Sequence, residues 1–165
     1  MNNNELYTTL AAELFASGYN CAQASFGAMA AKVDLEQTLA LKIATPFGGG
    51  ISHSGLVCGA VSGALMGLGY YYGNAYVNRE AKYRTYEIGE LFMTRFRERF
   101  GDVLCPKLLD LDIRIPEELA KARELDLFHT RCKEFVSGAV EIACQIIDEE
   151  APPADVCELK LKRKM

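Results

Sequence analysis

Apolar residues recur at helical spacing along most of the chain. Leu6, Leu10 and Leu14, with Ala11 alongside, put one apolar face on a first helix over 5–15. Gly18 predicts its end, and Asn20 is a good N-cap for a second helix over 21–33. That helix carries Ala24, Phe26, Ala28 and Met29 and is rich in small side chains. Asp34 reads as the cap of a third helix over 36–44, which Pro46 stops. A glycine loop over 47–54 leads into an apolar helix reaching about Tyr72. The segment 76–100 alternates faces at helical periods, and Gly101 ends it. Asp102 is a candidate start for a short helical turn that presents Cys105, with 109–115 as a connection. Pro116, Glu117 and Glu118 open a helix to about Leu127. The last long helix is expected over 129–150. Strand-like alternation is not convincing anywhere. The expected fold is all-α: one bundle of six or seven helices over 1–150, then a basic tail over 151–165 expected to fray.

Within the apolar helix, Gly55, Gly59, Gly63 and Gly67 recur every fourth residue, a spacing that lays a bare stripe along one face. Each glycine costs about 1 kcal/mol against alanine in a helix interior. Close approach of a backbone or of a bulky group is the expected compensation. Cys58 sits beside the stripe, with Ser62 one turn later. The loop ahead is no phosphate-binding loop, because no Gly-Lys-Ser/Thr follows, and no dinucleotide fingerprint, because no strand precedes it.

The net charge of −4 over 165 residues argues against a nucleic-acid footprint over the whole surface. No apolar run suits a membrane span. The first residues lack a basic region before an apolar one, so a cytoplasmic protein is expected. In that reducing setting the six cysteines point to metal ligation or redox chemistry rather than structural bridges. No CxxC pair occurs, so a shared site must be assembled by the fold from distant segments. Cys21, in a helix first turn, has the N–H groups and dipole that favour a thiolate. Cys105 stands before Pro106, a weak iron–sulfur signal taken alone. Cys132 lies three residues after His129. Cys144 is rotated away from Cys132, and Cys157 belongs to the tail. Arg79, Lys82, Arg84, Arg95, Arg97 and Arg99 make 76–100 basic. They suit either pairing with Glu80, Glu87, Glu90 and Glu98 or docking of an acidic electron carrier.

Cys21, then Cys58-Gly59-Ala60-Val61-Ser62-Gly63, then Cys105, then Cys132 resembles the C-GCAxxG-C-C family of redox-active proteins. GYNCAQAS around Cys21 and the GGG loop look similar too. The resemblance covers roughly 19–149, and four separated anchors in the right order make it fairly specific. In the core, Cys58 precedes Gly59, giving CGAxxG, which shifts the thiol relative to the glycine. Similar domains occur with split-Soret multihaem cytochromes, but this chain has no CxxCH and so no covalent haem is implied.

Three expectations follow. In the first, Cys21, Cys58, Cys105 and Cys132 converge on an iron–sulfur cluster, or on a single ion such as zinc. Gly55, Gly59 and Gly63 give room, and electrons pass to a redox protein partner. In the second, Cys21 is a low-pKa nucleophile and Cys58 its resolving thiol, with His53 or His129 steadying the thiolate. In the third, the glycine stripe packs against a second copy as a homodimer. No Ser-His-Asp array or paired acid–base carboxylates suggests a hydrolase.

Overall fold

The computed structural model describes residues 3–151. Cys157 and the expected tail beyond 151 lie outside them. Among the described residues there are eight α-helices and no β-strand. They are α1 (Asn3–Ala16), α2 (Cys21–Val33), α3 (Gln37–Ala44), α4 (Gly59–Tyr72), α5 (Arg79–Phe100), α6 (Cys105–Leu109), α7 (Pro116–Glu124) and α8 (Arg131–Glu149). The helix beyond the expected six or seven is the five-residue α6.

The middle of the bundle is α2, which packs against α1, α3, α4 and α8. Ala22, Ala24, Ser25, Phe26, Gly27, Ala28, Met29 and Ala30 are all buried, so this helix hides nearly its whole circumference. Its small side chains permit that, because a helix walled by alanines lets neighbours approach on every side. Asn20 caps it through Oδ1, which accepts from the backbone N–H of Ala22 and Gln23 at 3.0 Å each. Gln23 returns a bond to the Asn20 N–H, completing a capping box. Asp34 is the left-handed C-cap of α2 (φ 58°) rather than the cap of α3, which Glu36 supplies. Asp34 tolerates the left-handed conformation at the end of α2, and the Glu36 carboxylate accepts from the Thr38 and Leu39 N–H groups at the start of α3.

The glycine stripe is a seam inside the chain. A methyl group on Gly63 would lie 2.5 Å from the Ala22 carbonyl oxygen, and one on Gly67 would lie 2.5 Å from the Met29 Cβ. Gly59 faces the Cys21 sulfur and the Phe47 carbonyl. The close approach is therefore to α2 of the same molecule, and the stripe is not open to a second copy. Gly55 is not on it. Helix α4 begins only at Gly59, and Gly55 sits in the preceding turn at φ +65°, against Arg114. A spacing of four does not require that its first member be helical.

On the far side α5 packs on α4 and α8. Phe92, Phe96, Phe100 and Phe135 form an aromatic row, with centroids 4.7 Å apart for Phe96–Phe100 and 5.3 Å for Phe100–Phe135. Gly138 leaves space for the Phe100 ring. The α5 arginines bond mainly across to α8 rather than along α5: Arg84–Glu150 at 2.6 Å, Arg95–Glu149 at 2.7 Å and Arg99–Glu141 at 2.7 Å. Lys32 and Asn4 both reach Asp148, tying α1, α2 and α8 together at one end.

Candidate functional site

Each of the four candidate cysteines stands at a helix start. Cys21 is the first residue of α2, Cys58 the N-cap of α4, Cys105 the first residue of α6 and Cys132 the second of α8. Two of these starts are locked together. The segments ahead of α4 and α6 pair through an antiparallel bridge, Val57 with Leu104. The Cys58 N–H donates to the Val103 carbonyl and the Cys105 N–H to the Leu56 carbonyl, both at 2.8 Å. Asp102 accepts from the N–H of Val103 and Leu104 and turns the chain into α6. This bridge was not legible as a strand pair, since it is a single residue on each side.

All four thiols are free and share one electrostatic neighbourhood. The neighbouring Cys58 thiol donates to the Cys21 sulfur and is the largest cause that brings the Cys21 pKa down to about 6. Burial opposes this, while backbone N–H groups of Gly49, Ala22 and Cys21 itself assist. Cys58 is pushed up, first by that same bond and then by burial. Burial, followed by the charge of Cys21, pushes Cys105 to about 12. Cys132 goes to about 12 for the same reasons, with Cys105 adding to them. One thiolate thus sits among three protonated thiols.

The Gly49 donor comes from an unusual loop. Residues Gly49, Gly50, Ile51, Ser52 and His53 all have left-handed φ, between 49° and 67°. For a non-glycine residue this conformation costs about 1–2 kcal/mol, and Ile51 is β-branched as well. The loop is held by Ser52, whose N–H and Oγ both donate to the Pro46 carbonyl, and by the Leu56 N–H on the Gly50 carbonyl. Asn20 Nδ2 fastens its entry by donating to the Thr45 carbonyl at 2.9 Å. The GGG run signalled an irregular loop. That Gly49 would serve Cys21 was not signalled.

Neither histidine is among the leading causes that lower Cys21. His53 is exposed on the loop, and His129 lies exposed in the turn before α8, 2.5 Å from Asp126. Cys144 is fully buried against the Met29 sulfur at 4.0 Å, apart from the other four. Gly59 borders the site, Gly63 lies one turn deeper in the seam, and Gly55 faces Arg114.

A family model described as "Putative redox-active protein (C_GCAxxG_C_C)" matches residues 19–146. The chain belongs to this family. Comparison with curated proteins and with solved structures gives no match. The redox character of the family agrees with a site made of thiols at different helix starts. Four thiolates are the usual ligand set of an iron–sulfur cluster. The donor identities suit it. The hollow expected beside the stripe, however, is filled by α2 and the Cys21 sulfur, and among the described residues no three donors are grouped to hold one ion. The cysteines of this redox-active family are compatible with a metal or cluster cofactor, and none is shown here. No helix among the described residues is long and apolar enough to cross a membrane.

Proposed function

We propose that this protein is a thiol–disulfide redox protein in which Cys21 is the nucleophile and Cys58 the resolving thiol. The observation that carries the reading is the hydrogen bond from the Cys58 thiol to the Cys21 sulfur, which brings the Cys21 pKa down to about 6 and pushes Cys58 up. A disulfide in a partner molecule is the oxidant. The Cys21 thiolate attacks one of its sulfurs, forming a mixed disulfide and expelling the partner's other sulfur as a thiolate. Cys58 then gives up its proton and attacks the Cys21 sulfur. The Cys21–Cys58 disulfide forms, and the second partner thiol leaves. Two protein thiols are oxidised and one partner disulfide is reduced; the reverse sequence oxidises a partner dithiol.

The backbone donors at Cys21 hold the thiolate and improve it as a leaving group on the return step. Cys105 and Cys132, kept protonated by burial, stay outside the exchange.

Cys58→Ser in reduced protein, exposed to a small disulfide, should trap a mixed disulfide on Cys21 in peptide mass mapping. Wild-type protein should give the internal Cys21–Cys58 bond. Anaerobic purification with metal analysis is the companion experiment. Iron with visible absorption, or about one zinc per chain, would replace this reading by the four-thiolate one, because the same thiols cannot serve both while bound.

A further inference from the structure

Away from the thiols, a groove of about 490 Å³ runs between α4 and α5. Its floor is Leu65, Leu68 and Gly69 of α4 with Gly89 and Met93 of α5. Unlike the glycines of the inner seam, Gly69 has open space where a side chain would project, and Gly89 has only a Leu65 methyl at 3.6 Å. Among the described residues nothing else fills this seam. The rim carries Tyr86, 61% exposed, and two charges, Glu90 and Arg97.

Those charges set the groove apart. Arg84, Arg95 and Arg99 of the same helix are each committed to a glutamate. Glu90 and Arg97 have no ion-pair partner among the described residues; Arg97 adds only a minor attraction to Asp102, which already accepts two backbone N–H groups. They lie seven residues apart, two helical turns on one face, roughly 10 Å along the axis. Opposite charges so placed on one helix are self-complementary when a second identical helix runs antiparallel. Each Glu90 then meets the other chain's arginine, twice per pair, as a two-fold axis requires.

We propose that this groove takes α5 of a second copy of this chain, antiparallel about a two-fold axis near Met93. The glycines let the helices approach, the apolar floor is covered, and the two charge pairs fix the register. This surface is separate from the thiol site, and the proposal stands whether or not the redox reading does.

Sedimentation equilibrium of reduced full-length protein, with two charge reversals, tests it. Wild type should dimerise. Glu90→Arg places like charges opposite each other twice, as does Arg97→Glu, and either should weaken the dimer by about tenfold or more. Mixing the two variants should restore association as a heterodimer, because every cross-pair is again of opposite sign. Both positions are exposed, so unchanged helical circular dichroism is expected of each variant. A wild-type chain that stays monomeric at submillimolar concentration would overturn the proposal and leave the groove to a foreign partner. So would a dimer indifferent to either reversal, or a mixture that fails to reassemble.

Discussion

Replacing Cys58 by alanine removes the S–H that donates to Cys21. With its pKa at about 6, Cys21 is roughly 90% thiolate at pH 7, against about 3% for an ordinary thiol near 8.5. At pH 5.5 the fractions are about 25% and about 0.1%, a gap of roughly 200-fold. A less basic thiolate is a weaker nucleophile, and over ~2.5 pKa units that takes back about tenfold. Cys21 should therefore alkylate with iodoacetamide about twentyfold faster at pH 5.5 than an ordinary thiol does. Cys105, Cys132 and Cys144, all held at about 12, should remain silent below pH 9. The assay is the alkylation rate across pH 4.5 to 9 (roughly the span in which only ordinary or lowered thiols titrate), with peptide mapping to assign the label. In Cys58→Ala the Cys21 inflection should rise by more than about one unit, since its largest cause is gone. In Cys58→Ser a hydroxyl still donates, and the inflection should stay low. A wild-type inflection above about 8, or a Cys58→Ala profile still centred at about 6, would refute the reasoning.

Other outcomes follow from the same geometry. Asn20→Ala should cost about 1 kcal/mol in urea denaturation and raise the Cys21 inflection, because it removes both the α2 cap and the tether on Thr45. Gly63→Ala should destabilise by about 1–3 kcal/mol despite better helix propensity, since backbone stands in the way. Gly67→Ala should cost a similar amount, because its nearest obstacle is the Met29 Cβ, which is fixed to the α2 backbone. Reduced protein should gain stability as pH rises from about 6 towards the unfolded thiol value near 8.5, where the unfolded chain holds a proton that folded Cys21 has lost. Above about 8.5 the sign reverses, since folded Cys105 and Cys132 keep protons that the unfolded chain releases. Thermal melts under reductant across that range would check both limbs, and Cys21→Ser should flatten the first.

Apolar spacing revealed α1, α5 and α8, and helix start and stop signals such as Asp34, Pro46 and Pro116 revealed α3 and α7. Caps such as Asn20 and stops such as Gly101 are local chemistry and were equally legible. Which helix Asp34 caps, and that α4 starts at Gly59 rather than at Gly55, neighbouring residues could not decide. The four cysteines and their order were visible in the chain, and so was the family. The partner of the stripe was not, since a glycine records only that something comes close. Packing decided that α2 fills the seam and that the Gly49 N–H reaches Cys21. It also set the Cys58 sulfur against that of Cys21. These are distances between segments remote in the chain, and thiol acidity depends on such distances and on burial, neither of which the order of residues contains.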